Sequence, residues 1–221
     1  ALSPVHDDAY FVARAKELVD LEVDFISVKD PTGLLTPKRG ATLFPALVTA
    51  AKGIPLKLHS HCQSGLAPLV YEEAIKAGFQ YGYVATNCLA NGASLPSVTE
   101  VLASAERMGR APKMNRSALQ EVDDYFDWIC TRDNLPRGQR QSYDPALYEH
   151  QIPGGMISNL RAQLASLGIA HREEEILEET AQVRKDLGYP ILVSPFAQYI
   201  VTQAVLNVMQ GERYKTIPDE V

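Results

Sequence analysis

The sequence predicts an α/β fold in its first half and a mostly helical second half. Three short segments rich in β-branched or aromatic residues, DFISVKD, IPLKLHSH and FQYGYVATN, each follow a stretch with helical spacing of apolar residues. Strands that alternate with helices are typical of right-handed βαβ crossovers, which build a parallel sheet. Beyond Gly109, helical spacing continues without a convincing strand.

The predicted helices of the first half have start or stop signals. Asp7 is the expected N-cap of the first helix, and the second helix is expected to end on Gly53. Two further helices are LAPLVYEEAIKAG and SVTEVLASAERMG. Residues 1–5 are interpreted as the end of another strand that runs directly into the first helix. Since no start methionine precedes that strand, we expect the chain to be a piece of a longer protein.

Four helices are predicted in the second half: SALQEVDDYFDWICTRD, ISNLRAQLASLG, EEEILEETAQVRKDLG and AQYIVTQAVLNVMQGERY. The aromatic residues of VDDYFDWIC fall at helical spacing, so we expect them in a core. The stretch RAPK interrupts the pattern at residues 110–113 and predicts a boundary there, with domains at 1–110 and 111–221.

Composition and charge exclude several classes of protein. The chain of 221 residues is 46% hydrophobic and 22% charged, as expected for a folded globular protein. Its net charge of −6 and scattered basic residues predict no nucleic-acid partner. No apolar run approaches the roughly 20 residues of a membrane span, and no signal peptide is evident. Three cysteines without C-x-x-C spacing indicate a reducing compartment, so we expect a cytoplasmic location.

Strand alternation brings three polar side chains together. Lys29 shares a strand face with Phe25 and Ser27, and His59 shares a face with His61. All three of Lys29, His59 and His61 are therefore predicted at the carboxyl ends of successive parallel strands, on the face turned away from the helices. Ligands bind at this end of parallel sheets in barrels and open sheets alike.

His59 and His61 are a candidate metal pair. Residues two apart on one strand face are roughly 7 Å apart, so both imidazoles can reach one cation. The alternative is two solvated histidines at a strand end. Lys29 could pair with a carboxylate such as Asp30, act as an amine base, or be carbamylated and supply an oxygen ligand.

The remaining cysteines and histidines are assigned structural or solvent positions. Cys62 and Cys88 are interpreted as small packing residues, because strand alternation turns Cys62 away from the histidine face. His6 and His171 lie among charged residues near helix starts, and we expect both to be solvated.

Five segments carry a resemblance to a known family. VKDPTGLLTP, LHSHCQSGLAP, LANGASLPS, YEHQIPGGMISNL and GYPILVSPFAQYIVTQAVLNVMQGERYKTIPDEV follow one another in the order seen in the carboxyltransferase domain of biotin-dependent enzymes. The chain resembles this domain of pyruvate carboxylase, the oxaloacetate decarboxylase alpha chain and transcarboxylase. The resemblance implies the C-terminal half of a (β/α)8 (TIM) barrel, followed by a helical C-terminal extension that forms a funnel over the barrel mouth.

The resemblance also implies roles for individual residues. Lys29 matches a carbamylated lysine, and His59 and His61 match two histidine ligands of Zn, Mn or Co. A fourth ligand, an aspartate, comes from a first barrel strand that this chain does not contain. Ser194 matches the threonine that moves a proton between biotin and pyruvate, and Gln198 lies where relatives contact biotin. Ser194 is also a good helix N-cap with Pro195 at the first helical position, and both roles can hold at once.

The function implied is the carboxyltransferase component of a biotin-dependent enzyme, which moves CO2 between carboxybiotin and pyruvate or oxaloacetate at a divalent metal. Biotin would be carried on another domain or chain. The implied partners are biotin carboxyl carrier and biotin carboxylase domains or subunits, and a second copy of the chain in a homo-oligomer.

Three alternatives share part of this pattern. A metal-dependent acyl-CoA lyase or synthase of the aldol type also carries H-x-H on a late strand, but its C-terminal region differs. A non-catalytic scaffold within a carboxylase assembly would lack bound metal. An amidohydrolase fits less well, because its histidine pair precedes its lysine.

Overall fold

A computed structural model describes residues 2–221 and confirms the alternation of helices and strands in the first half. Its elements there are α1 (Asp8–Asp20), β1 (Ile26–Asp30), α2 (Pro37–Ala50), β2 (Leu56–Ser60), α3 (Ala67–Ala77), β3 (Tyr81–Gly82) and α4 (Val98–Arg107). The second half contains α5 (Arg116–Arg132), α6 (Ala146–His150), α7 (Gly154–Ser166), α8 (Glu173–Asp186) and α9 (Phe196–Gln210). The short helix α6 was not predicted.

Local sequence signals explain the ends of several helices. The Asp7 side chain accepts a hydrogen bond from the backbone N–H of Tyr10 at 2.8 Å, so the predicted N-cap of α1 is confirmed. Thr36 caps α2 in the same way. That helix ends at Ala50, three residues before the predicted Gly53. Gly78 ends α3 in the left-handed conformation that glycine adopts readily.

The three strands form one parallel sheet in the order β1-β2-β3, as the βαβ pattern predicts. The third strand is much shorter than the predicted nine residues. From Ala85 onwards the chain bonds to its own following loop, with the Ala85 N–H donating to the Pro96 carbonyl and the Val98 N–H donating to the Ala85 carbonyl. These bonds replace a longer ladder with β2.

The predicted strand in residues 1–5 is wrong for residues 2–5, which form a bend and a turn, and Ala1 lies outside the described residues. The Leu2 backbone bonds to a side chain instead of to a neighbouring strand. Gln151 accepts from the Leu2 N–H through Oε1 at 3.3 Å and donates to the Leu2 carbonyl through Nε2 at 2.8 Å.

The chain forms two compact units. One is His6–Tyr143, and the other joins the segment up to Val5 with Asp144–Val221. The core of the first unit lies between the sheet and its helices and includes Phe44, Leu47, Leu56, Leu58, Val70 and Tyr71. The core of the second unit lies among its helices and includes Leu160, Leu164, Ile176, Val183, Ile200 and Ala204. The division into domains at residue 110 stays a prediction, and these compact units divide at residue 143.

The core position predicted for the aromatic residues of α5 is wrong within the unit His6–Tyr143. Val122, Tyr125 and Trp128 are 45%, 56% and 52% exposed, and only Cys130 of this helix is buried. Within residues 6–143, no element covers the face that carries Val122, Tyr125 and Trp128.

The predicted environments of the histidines and cysteines have mixed outcomes. His6 is buried rather than solvated, because the rings of Tyr10 and Phe11 lie 4.9 and 6.2 Å from its ring. His171 is exposed as predicted. Cys62 is buried, which confirms it as a packing residue, whereas Cys88 is only half-buried.

Among residues 2–221, no helix combines the length and apolar character that a bilayer crossing requires.

Candidate functional site

The predicted orientation of the strand side chains is confirmed. Lys29 is exposed at the end of β1, while its neighbour Asp30 is buried. On β2, His59 is half-buried between the fully buried Leu58 and Ser60. Because side chains alternate between the two faces of a strand, Lys29 and His59 project from the face opposite the helices. Both lie at the carboxyl edge of the parallel sheet.

His61 follows β2 directly, and its ring turns toward His59. The two Nε2 atoms lie 3.0 Å apart. The His61 Nδ1 atom lies 2.5 Å from the carbonyl oxygen of Ala93. A carbonyl can only accept, so Nδ1 carries a proton, and in the neutral ring the lone pair is then on Nε2 of His61. The tautomer that a metal ligand needs is therefore fixed by a bond to a distant loop.

The two Nε2 atoms are close enough to share a cation. His59 and His61 would hold a divalent cation through these nitrogen atoms. Without a cation, a proton held between the two nitrogen atoms satisfies the same pair. In the part of the chain that the structure describes, no group of three or more His, Cys, Asp or Glu side chains is placed to hold a metal. A further ligand would have to be of another kind, such as a modified Lys29, or come from another part of the protein.

The salt bridge between Lys29 and Asp30 is not formed. The buried Asp30 carboxylate accepts hydrogen bonds from the backbone N–H groups of Leu34 at 2.9 Å and Leu35 at 3.0 Å. It also accepts one from the Ser60 hydroxyl at 2.8 Å. Since both carboxylate oxygens are used on the helix side of the sheet, the Lys29 amine on the open face has no carboxylate partner among residues 2–221.

The surroundings of His59 favour its neutral form. Partial burial lowers the pKa of His59 below its ordinary value, and positive charge on His61 or Lys29 lowers it further, against an opposing effect of Asp30. A neutral imidazole is the form that binds a metal.

Tyr83 is a neighbour of this site that was not among the predicted residues. Its ring centroid lies 5.2 Å from that of His59, and its side chain is exposed. Alternation along the third predicted strand puts Tyr81 and Tyr83 on one face, and the pairing of Tyr81 with Lys57 makes this the histidine face.

Ser194 and Gln198 belong to the other compact unit. The prediction that Ser194 caps α9 is wrong, because Pro195 occupies the cap position and no side chain caps the helix. Ser194 and Gln198 are both exposed, whereas Ala197 is fully buried. The Ser194 hydroxyl is thus not occupied in helix capping.

Three comparisons identify what this chain is similar to. Residues 147–221 match the family model described as "Conserved carboxylase domain". The whole chain is 39% identical to a pyruvate carboxylase subunit of Methanocaldococcus jannaschii, of which it covers 39%. It is 32% identical to the "Methylmalonyl-CoA carboxyltransferase 5S subunit" of Propionibacterium freudenreichii, with 99% of this chain and 43% of the relative aligned.

A solved structure extends the comparison to the fold. The carboxyl transferase domain of Rhizobium etli pyruvate carboxylase, solved with pyruvate and biocytin, has a TM-score of 0.89 and 25% identity, and the match covers 98% of this chain and 38% of that chain. The proteins that this chain resembles are thus carboxylases and carboxyltransferases. More narrowly, residues 147–221 match the conserved carboxylase domain, and the whole chain is similar to the carboxyltransferase domain of a pyruvate carboxylase, which confirms the resemblance drawn from the sequence. It spans about two fifths of the length of the curated relatives named here.

Proposed function

We propose that this chain is the carboxyltransferase portion of a biotin-dependent enzyme that moves a carboxyl group between carboxybiotin and a 2-oxo acid such as pyruvate. The parallel βα units would form the C-terminal half of a TIM barrel, with the helical extension completing a funnel over its mouth. Support comes from the similarity of the whole chain to carboxylases and carboxyltransferases and from the Rhizobium etli domain, which was solved with pyruvate and biocytin. Biotin carboxylase and carrier domains or subunits would be the partners, in a cytoplasmic homo-oligomer.

The observation that carries the proposal is the convergence of His59 and His61. Their Nε2 atoms lie 3.0 Å apart, and Lys29 projects from the neighbouring strand in register with His59. Two imidazoles fit a divalent cation such as Zn, Mn or Co. Lys29 would supply an oxygen ligand after its neutral amine bonds to CO2 and releases a proton. When bound, the cation would supply a Lewis acid for the keto oxygen of the substrate.

Ser194 and Gln198 would act on the biotin side of the reaction. A hydroxyl can accept and donate a proton in turn, so Ser194 would take a proton from the methyl group of pyruvate and pass it to the ureido nitrogen of biotin. Gln198 would contact the biotin ring. Both side chains are exposed, as a role in binding a carrier-borne group requires.

The test uses the full-length protein that contains this chain. We expect it to contain a divalent metal and to exchange labelled pyruvate with oxaloacetate only when biotin or biotinylated carrier is present. Removing the metal with a chelator should abolish exchange, and adding it back should restore exchange. Activity that needs an acyl-CoA but not biotin would support the aldol-type lyase instead. Protein that binds no metal and catalyses neither reaction would support the scaffold.

A further inference from the structure

A buried hydrogen bond lies directly behind the candidate ligands, on the helix side of the sheet. It joins the Asp30 carboxylate to the Ser60 hydroxyl at 2.8 Å. Asp30 is the residue after Lys29, and Ser60 lies between His59 and His61. Asp30 is only 5% exposed and Ser60 is fully buried, so water does not compete for this bond.

The backbone around Asp30 and Ser60 is tied together as well. The Asp30 carbonyl accepts the His61 N–H at 3.0 Å, at the point where the chain leaves β2. The other hydrogen bonds of the Asp30 carboxylate hold the turn that follows β1, through the N–H groups of Leu34 and Leu35. A single carboxylate group therefore connects the turn after Lys29 to the strand that carries both histidines.

We propose that Asp30 and Ser60 are positioning residues for Lys29, His59 and His61. This inference rests on the proposed metal site. A cation needs its ligands within a few tenths of an ångström of their ideal positions, so a side-chain bond that reinforces the backbone pairing of β1 and β2 at their ends helps to hold the ligands there. The bond between Asp30 and Ser60 joins the strands at the level of the ligands without touching the metal.

Ser60→Ala is the most selective test. It removes the side-chain bond between the strands while leaving their backbone bonds in place and the Asp30 carboxylate bonded to Leu34 and Leu35, so the turn keeps its anchor. Asp30→Asn is the second variant, because its amide nitrogen cannot accept from a backbone N–H.

A matched control exists in the same unit. The Ser104 hydroxyl donates to Glu72 at 2.8 Å, and Ser104 is 8% exposed. This bond joins α4 to α3 and is likewise donated by a serine hydroxyl to a carboxylate, with Arg107 also bonded to both groups. Ser104→Ala should therefore cause a similar loss of stability without affecting the ligands.

The experiment measures metal affinity of the metal-free full-length protein by chelator competition with Zn and Co, together with the visible spectrum of the Co form and the melting temperature of the metal-free form. Ser60→Ala is expected to weaken metal binding by about 10–100-fold, the range found when groups that hold metal ligands are removed. The spectrum of the Co form of Ser60→Ala should also change. Ser104→Ala should match wild type in metal affinity and in the Co spectrum.

The possible results separate the two proposals. Unchanged affinity in Ser60→Ala, while wild type binds metal, would overturn the positioning role and leave the metal site standing. Equal weakening in Ser60→Ala and Ser104→Ala would also overturn it, because the effect would then be a general loss of stability. Wild-type protein that binds neither Zn nor Co would overturn the proposed metal site, and the positioning role with it.

Discussion

Lys29 and His59 are directly paired in the register of β1 and β2. Paired residues on neighbouring strands project their side chains from the same face, with backbones about 4.8 Å apart. The amine and the imidazole therefore extend into the same space at the carboxyl edge of the sheet. Asp30 uses its carboxylate on the other face, so no acid of its own strand competes for the Lys29 amine.

Lys29→Arg should strongly weaken metal binding, because the proposed site uses Lys29 as a ligand. A guanidinium keeps the positive charge but stays protonated and cannot react with CO2. We expect affinity for Zn to fall by at least about 100-fold, since losing a group that merely supports a ligand costs about 10–100-fold. Wild-type affinity should rise with added bicarbonate, whereas the affinity of the variant should not.

Lys57→Arg is the matched control for this substitution. Lys57 lies on the same face of β2, with its Nζ atom 3.1 Å from the centre of the Phe25 ring, a contact that arginine can also make. Metal affinity of Lys57→Arg should equal that of wild type. Wild-type affinity in Lys29→Arg would show that Lys29 is not a ligand.

Gly33→Ala should damage the site from the turn after β1. Gly33 has a φ of +70°, and a Cβ there would collide with the carbonyl group of His61. Gly53→Ala is the matched control, since Gly53 has a φ of +93° and nothing within 4 Å of an added Cβ. The left-handed conformation alone should cost each variant about 1–2 kcal/mol of stability.

Only Gly33→Ala should also displace His61 and weaken metal binding. Melting temperature and metal affinity of both full-length variants would be compared. Equal metal affinities of the two variants would contradict this expectation.

The orientation of the candidate ligands could be predicted because it depends on a local rule. Side chains alternate with a period of two along any strand, so the shared face of Lys29 and His59 needed no knowledge of the rest of the chain. The bond between His61 and the Ala93 carbonyl could not be predicted in this way. Thirty-two residues separate its partners, and it depends on how the loop after β3 folds back.

Other predictions were wrong where the local sequence is compatible with more than one structure or environment. SPF at residues 194–196 is compatible with a serine cap or with a proline at the cap position, and the structure has the latter. The spacing of Tyr125 and Trp128 predicts that they share a helix face, but burial depends on what packs against that face. His6 is buried by the aromatic rings of Tyr10 and Phe11 despite its charged neighbours in sequence.

Ser194→Ala should reduce pyruvate–oxaloacetate exchange by about 100-fold or more, the usual effect of losing a group that transfers a proton. The melting temperature should not change, because the hydroxyl neither caps α9 nor bonds to another of residues 2–221. Ser194→Thr keeps the hydroxyl and should retain most of the activity. Full activity in Ser194→Ala would exclude the proton-transfer role.

His150 should make stability depend on pH. Burial lowers the pKa of His150 below its ordinary value, and its Nδ1 atom accepts the Ile152 N–H at 3.0 Å. Protonation would place a hydrogen on that acceptor, so the folded protein resists it. Between the lowered pKa and the ordinary pKa of about 6.5, the unfolded chain binds a proton that the folded chain does not. Stability contributed by neutral His150 is therefore complete above about pH 6.5 and is lost as the pH falls toward the lowered pKa.

His150→Asn isolates this effect, because its Oδ1 atom can accept the Ile152 N–H at any pH. Unfolding of the metal-free full-length protein would be followed from pH 8 to pH 5, with His171→Asn as the control at an exposed histidine. Wild type and His171→Asn should lose stability together as the pH falls, since the exposed His171 has no comparable burial. His150→Asn should lose less over the same range. Parallel pH curves for wild type and His150→Asn would show that protonation of His150 is not resisted by the fold, and that its Nδ1 atom is not a required acceptor.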